Sequence, residues 1–179
     1  GPGPDRALVF QDFALIPWST LLQNVWFGFR ARGIPKKERE ETSLHYIKEV
    51  GLLGFEDKYP HQLSGGMRQR TGLARALTIN SDILLMDEPF SAVDEQMRRK
   101  LQEDLLNLLK VENKTVIFVT HSIEEAVYLA DQVVILSGRP GSVAEIVYPE
   151  IDRKGEIDLI RRQPGYIELV DEIWSSLKK

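Results

Sequence analysis

The chain has 179 residues, of which 42% are hydrophobic and 28% charged, a composition ordinary for a globular protein that buries a core. Its formal net charge is −4, without the basic excess that most nucleic-acid-binding proteins carry. Cysteine is absent, which excludes disulfides and thiolate chemistry, and no apolar run approaches the roughly 18 residues of a membrane-spanning helix.

The first fifty residues read as one buried strand followed by helices. Residues 7–10 (ALVF) form a short apolar run that predicts a buried strand. Pro17 interrupts any helix in the aromatic stretch that follows, so we expect a loop before a helix begins at about Ser19. Pro35 suits a first helical turn, and apolar residues at helical spacing predict a helix as far as Val50.

The middle of the chain alternates helices with apolar strands. Ser64 precedes two glycines and a helical pattern through residue 79, which predicts that this serine caps the helix. Residues 95–110 form the clearest amphipathic helix, with apolar residues along one face and charges along the other. Two short runs rich in apolar residues predict buried strands at 83–86 and 115–120.

The C-terminal third begins with a helix signal. Ser122 and Glu125 have the spacing of a capping box before an apolar stripe. Two strands are predicted at 132–136 and 142–147, joined through the turn-like sequence GRPG. The charged tail from Gly155 carries one apolar side, which predicts helix.

Apolar strands that alternate with amphipathic helices predict an α/β fold, in which helices pack against a parallel sheet. Function in such sheets gathers at the carboxyl ends of the strands. Three predicted strands are followed there by polar residues, namely Gln11, Asp87 with Glu88, and His121. These ends are therefore where we expect the functional site.

The adjacent carboxylates Asp87 and Glu88 suit a metal ion and a base held side by side. Aspartate is a suitable ligand for Mg²⁺, a hard cation that keeps several of its waters, and Glu88 can orient a water for attack. The alternative is that Asp87 caps a turn and Glu88 is solvated. His121 could contact a phosphate, although a lone histidine is more often structural, and Gln11 could reach a metal or its water.

The segment LSGGMRQR (63–70) suits a second kind of chemistry. Gly65 and Gly66 let the backbone approach a ligand closely, and the helix that follows presents free N–H groups and a positive dipole end to an anion. The alternative is an ordinary capped helix with a flexible entry.

Taken in order, these segments resemble the motifs of the ATP-binding subunit of ABC transporters over nearly the whole chain. The matching motifs are the Q-loop (Gln11), the signature motif (LSGGMRQR, 63–70), Walker B (ILLMDE, 83–88), the D-loop (SAVD, 91–94) and the switch histidine (His121). The resemblance implies an enzyme, an ATPase coupled to transport, that uses ATP and Mg²⁺.

It also implies a role for each matched residue. Asp87 would hold Mg²⁺ through water, and Gln11 would sense both Mg²⁺ and the membrane partner. Glu88 would be the general base for the attacking water, and His121 would contact the γ-phosphate. Phosphoryl transfer depends mainly on positioning and charge neutralisation, which these residue types supply.

A second group would act across a homodimer of ATP-binding subunits. Ser64, Gly65 and Gly66 would bind the γ-phosphate of a nucleotide held by the opposite subunit. Asp94 would communicate across the dimer.

The implied fold is that of P-loop NTPases, a mostly parallel sheet with flanking helices plus a helical lobe that carries the signature motif. The whole chain would be one partial ABC ATPase domain. It would divide at about 11–80 (Q-loop and helical lobe), 81–148 (Walker B to switch histidine) and 149–179 (helical tail). The expected location is the cytoplasmic face of the bacterial inner membrane, as a peripheral subunit.

The segments GPGPDRALVFQ, LIPW (15–18) and NVWFGF, together with the tail, are similar to importers of nitrate, sulfonate and taurine. Residues 11–29 would then dock on the transmembrane permease subunit, and a solute-binding protein would act indirectly. The alternative is that Phe13, Trp18, Trp26 and Phe27 simply pack the helical lobe.

The sequence departs from the family in one respect. No segment matches G-x-x-x-x-G-K-[ST], the loop whose amides and lysine hold the phosphates of a nucleotide. In the family this loop precedes the Q-loop, so we expect a C-terminal portion of the domain, truncated at its N-terminus. Such a chain alone should bind ATP weakly, lack activity, and expose sheet edges that favour a dimer or a swapped assembly.

Two further functions fit some of these features. A non-catalytic module that docks on a membrane subunit or pairs with another chain would not need the missing loop. A DNA-repair ATPase shares the motifs, but the acidic balance and the lack of a coiled-coil insertion between Gln11 and Leu63 argue against it, and no nucleic-acid partner is expected.

Overall fold

The computed structural model describes residues 5–10, 13–31, 33–91, 93–112, 114–138 and 140–177. The chain divides into two compact units, Gly1–Val119 and Thr120–Lys179, which are described separately. Within the described residues, no helix combines the length and the apolar character that crossing a bilayer requires.

The first unit is built on a parallel sheet of three strands, β1 (Arg6–Val9), β2 (Ile83–Asp87) and β3 (Thr115–Val119). The strand order is β1-β2-β3, and β2 pairs on both sides. Leu84 and Met86, which lie on the same face of the central strand, are both buried. The predicted parallel α/β fold is thereby confirmed, with each strand within a residue of its expected bounds. The prediction that β3 is a buried strand is wrong: its residues alternate between exposed and half-buried, since among the described strands it pairs only with β2.

Within the described residues of this unit, five helices accompany the sheet. They are α1 (Leu21–Val25), α2 (Phe27–Ala31), α3 (Lys36–Glu49), α4 (Gly65–Thr78) and α5 (Glu95–Glu112), with a 3-10 turn at Pro60–Gln62. The first begins two residues after the expected Ser19, because Thr20 takes the capping position and forms a capping box with Gln23. The apolar face of α5 is buried through Leu101, Leu105 and Leu108, as its periodicity predicts.

The second unit contains α6 (Ile123–Leu129), an antiparallel pair of strands, β4 (Val133–Leu136) and β5 (Val143–Val147), then α7 (Ile157–Ile160) and α8 (Pro164–Leu177). The described part of the tail predicted as helical from Gly155 therefore holds two helices. The Arg153 guanidinium ends α6 by donating to the carbonyls of Tyr128, at 2.7 Å, and Ala130. A cation at this position also complements the negative end of the helix dipole.

Candidate functional site

The predicted carboxylate pair lies at the carboxyl end of the central strand. Asp87 is the last residue of β2, is paired with Val119 and is exposed. Glu88 follows with a φ of 43°, the left-handed region that residues other than glycine rarely adopt. Its N–H still donates to the Val119 carbonyl at 2.9 Å. The sheet therefore ends at Glu88, and the chain turns away directly behind this carboxylate.

The turn after Glu88 is fixed from both sides. The Ser91 amide and hydroxyl both donate to the Glu88 carbonyl, at 3.2 and 3.0 Å. Phe90 is buried, and its ring lies 5.5 Å from that of Phe118 on β3. Backbone strain held by such surroundings is typical of functional sites. The two carboxylates thus stand on a rigid base at the edge where the sequence predicts chemistry.

Asp94, predicted to act between subunits, has a role within its own chain. Its carboxylate accepts from the Met97 amide at 3.0 Å, and its carbonyl accepts from the Arg98 amide at 2.8 Å. This is the geometry of an aspartate that caps a helix, here α5. The Arg98 guanidinium donates in turn to the carbonyls of Phe90, at 3.3 Å, and Val93, at 3.2 Å. The segment from Walker B to α5 is therefore one hydrogen-bonded unit.

The signature glycines differ in their surroundings. Ser64 caps α4 by accepting from the Met67 amide at 3.3 Å, as predicted. A β-carbon on Gly66 would lie 2.8 Å from the Met97 sulfur, so no side chain fits there without movement. A β-carbon on Gly65 would meet nothing closer than the Arg68 Nη2 atom at 4.0 Å. Gly66 is thus tightly packed against a flexible methionine, whereas Gly65 has room for a β-carbon.

The segment after β1 is anchored by a residue that the sequence did not single out. Phe13 and Ala14 have φ values of 60° and 41°, and Arg75 of α4 donates to both of their carbonyls, at 2.5 and 2.7 Å. Burial lowers the pKa of the Arg75 guanidinium. Gly72 packs against Phe13, where a β-carbon would lie 3.3 Å from the Phe13 β-carbon. The sequence signal for this role of Arg75 was a single arginine within the otherwise apolar sequence ARAL. Gln11 itself lies outside the described residues.

His121 belongs to the second unit and is exposed. The loop around it is cross-linked: the Thr120 hydroxyl donates to the Glu125 carboxylate at 2.6 Å and accepts from the Ser122 amide at 3.0 Å. The Ser122 hydroxyl accepts from the Glu125 amide at 3.3 Å, which is the first half of the predicted capping box. The Glu125 carboxylate instead accepts from Thr120, because that hydroxyl lies within its reach.

Magnesium bound to a nucleotide usually takes one or two carboxylates and completes its shell with phosphates and waters. The exposed Asp87 carboxylate fits that requirement. Among the described residues, no cluster of three or more histidines, aspartates or glutamates could hold a metal unaided. A single exposed carboxylate such as that of Asp87 suits a cation that arrives with a phosphate ligand.

Known proteins resemble this chain in sequence. The profile of a family described as ABC transporter matches residues 3–91. An ABC transporter ATP-binding protein of Methanocaldococcus jannaschii is 50% identical over 99% of this chain and 68% of its own length. A nitrate import ATP-binding protein of Synechocystis is 42% identical over 99% of the chain and 69% of its own length. A taurine import ATP-binding protein of Rhizobium johnstonii is 44% identical over 96% of this chain and 67% of its own length.

Among solved structures, a dimeric ATP-binding cassette in a post-hydrolysis state with ADP and Pi has a TM-score of 0.68 at 35% identity. The match covers 82% of this chain and 63% of the solved one. The chain thus spans about two thirds of the length of these proteins.

Proposed function

Because the chain belongs to the ATP-binding proteins of the ABC transporter family, we propose that it is part of the ATP-hydrolysing subunit of an importer. The solute would be nitrate, sulfonate, taurine or a similar small molecule. The observation that carries the proposal is identity above 40% to relatives named for nitrate and taurine import, over nearly the whole chain. The carboxylates at the end of β2 supply the matching chemistry.

In the proposed reaction, Asp87 holds the nucleotide's Mg²⁺ through water, and Gln11 contributes a further contact. Glu88 orients the attacking water and takes its proton, and His121 contacts the γ-phosphate. The left-handed backbone at Glu88 supports this division of roles, because it fixes the direction in which the chain leaves the sheet. Preorganised groups of this kind account for most of the catalysis in phosphoryl transfer.

The remaining motif residues act across a homodimer. Ser64, Gly65 and Gly66, at the start of α4, bind the γ-phosphate of the partner subunit's nucleotide through backbone N–H groups. The loose surroundings of Gly65, where a β-carbon would meet nothing closer than 4.0 Å, support this role. Asp94 stabilises the first turn of α5 by accepting from the Met97 amide. Since Met97 packs against Gly66, Asp94 thereby supports the position of the signature motif.

The permease would dock on the helical lobe. Trp18 is 78% exposed and Phe27 is 49% exposed, whereas Phe13 is buried. Only part of the aromatic set thus packs the lobe, and the exposed rings are available to an apolar partner. The subunit would work at the cytoplasmic face of a bacterial membrane, with a solute-binding protein acting through the permease.

The 179-residue chain alone would not hydrolyse ATP, because it lacks the G-x-x-x-x-G-K-[ST] loop. In isolation, the chain would associate with another chain. Ile117 and Val119 of β3 are 54% and 52% exposed, and β3 pairs only with β2 among the described strands. Such an apolar edge favours association between chains.

The test is to complete the chain. The N-terminal part of the M. jannaschii relative, including its phosphate loop, would be joined before Asp5 and ATPase activity measured. We expect Mg²⁺-dependent hydrolysis that Glu88→Gln reduces by at least about a hundredfold. The matched control, Glu150→Gln at an exposed site, should retain activity. A completed, folded chain without ATPase activity would overturn the proposed function.

A further inference from the structure

Helix α8 and the loop that carries His121 line one groove of the second unit. Its volume is ≈ 280 Å³, and His121 lies along it with the start of α6. The α8 residues that line it are Val170, Asp171 and Trp174, whose spacing places them on one face of the helix. The Trp174 side chain is 53% exposed, although it is large and apolar. The groove thus brings an indole and an imidazole to the same place.

Helix α8 is held firmly in this position. The Tyr166 hydroxyl donates to the Glu124 carbonyl at 2.9 Å, and Arg161 pairs with the Glu124 carboxylate at 3.1 Å. Near the other end of the helix, the Ser176 hydroxyl donates to the Glu145 carboxylate of β5 at 2.6 Å. Since α8 is attached on both sides of Trp174, its indole has a fixed base next to the histidine loop.

We propose that Trp174 is a positioning residue for His121, a role that rests on the proposed ATPase function. A histidine side chain loses rotamer freedom when its imidazole is held against a phosphate. An indole that lines the same groove removes some of that freedom in advance, which raises the fraction of molecules ready to react. The tail helix thereby contributes to the site without touching the nucleotide.

The first test uses NMR of the 179-residue chain and needs no hydrolysis. The sequence holds three histidines, so a His121→Gln variant assigns the ring protons of His121. We expect a nuclear Overhauser contact between the His121 and Trp174 rings, and a ring-current shift that Trp174→Leu abolishes. Trp174→Phe should keep part of the shift, and Ile167→Ala, an exposed change elsewhere on α8, should keep all of it. No contact and no shift in a folded protein would overturn the proposal.

The second test measures kinetics in the completed chain. Trp174→Leu should lower kcat by about threefold to tenfold, with KM for ATP unchanged, and Trp174→Phe should restore part of the loss. In a His121→Ala background, Trp174→Leu should have no further effect, whereas an undiminished loss there would overturn the positioning role. Because the NMR contact does not depend on hydrolysis, an inactive completed chain would count against the proposed function and not against the contact.

Discussion

Gly66 at the start of α4 packs directly against Met97 at the start of α5, so closely that a β-carbon on the glycine would lie 2.8 Å from the methionine sulfur. The contact joins the signature motif to the segment that follows Walker B. Asp94 caps the same turn of α5 through the Met97 amide. Gly66 and Met97, which are 31 residues apart in the sequence, therefore connect the signature motif to the start of α5 within one unit.

This contact predicts that alanine substitutions at the two signature glycines differ in their effect on stability. Gly66→Ala should lower the free energy of unfolding by about 1 kcal/mol, near the low end for overpacking because methionine can change its rotamer. Gly65→Ala should change it by less than about 0.5 kcal/mol, since its β-carbon would make only an ordinary contact, with the Arg68 Nη2 atom at 4.0 Å. Urea denaturation measures both. In a Met97→Ala background the cost of Gly66→Ala should disappear, and a cost that persists would contradict the packing explanation.

Gln69 gives a prediction about stability. The residue is 3% exposed, and within the described part of the chain its Oε1 atom has no hydrogen-bond partner. It lines a hollow shared with Leu73, Met86 and Leu105. A buried, unpaired polar atom is costly, so Gln69→Met, which keeps the volume, should raise the free energy of unfolding by about 1 kcal/mol.

The exposed Gln96→Met is the matched control for Gln69→Met and should be nearly neutral. Urea denaturation of the two variants gives the comparison. Destabilisation by Gln69→Met would mean that a bound water satisfies the amide, and would contradict the prediction.

Local patterns predicted the elements and part of the site. Ser64 and Ser122 cap helices as expected, because capping depends on residues only three positions apart. The placement of Asp87 and Glu88 at a strand end followed from the apolar run before them. Motif resemblance then assigned their chemistry, which no periodicity could have done.

Features that depend on tertiary contacts were not predictable from the sequence. The left-handed conformation of Glu88 is held by a turn to Ser91 and by the neighbouring strand. The hydrogen bonds from Arg75 to Phe13 and Ala14 join residues more than sixty positions apart. The tighter packing at Gly66 than at Gly65 arises from Met97, which lies on another helix. Each of these depends on where distant segments pack, and helix propensity or spacing carries no such information.

Tyr166 makes the second unit sensitive to alkali. Burial raises the pKa of its hydroxyl from 10.0 to about 12, and that hydroxyl donates to the Glu124 carbonyl. The folded state thus favours the neutral phenol, so its contribution to stability is complete below pH 10 and is lost as pH rises towards 12. Unfolding followed by circular dichroism between pH 9 and 12 should show this loss.

The matched variants isolate the tyrosine from other groups that titrate in this range. Tyr166→Phe should be less stable by about 1 kcal/mol at pH 8 and should lose stability less steeply above pH 10. Tyr148→Phe, which removes an exposed hydroxyl, is the matched control and should be nearly neutral at pH 8. Equal slopes for the wild type and Tyr166→Phe would contradict the assignment.

The missing phosphate loop predicts how the 179-residue chain meets its nucleotide. Asp87 and Glu88 stay at the end of β2, but the sequence has no lysine-containing loop to neutralise the β- and γ-phosphates. Without it the two carboxylates repel a polyphosphate, and Mg²⁺ alone offsets only part of that repulsion. Isothermal titration with MgATP should therefore give a dissociation constant weaker than about 1 mM. The completed chain, titrated in the same buffer, should bind far more tightly, and micromolar affinity of the shorter chain would contradict the prediction.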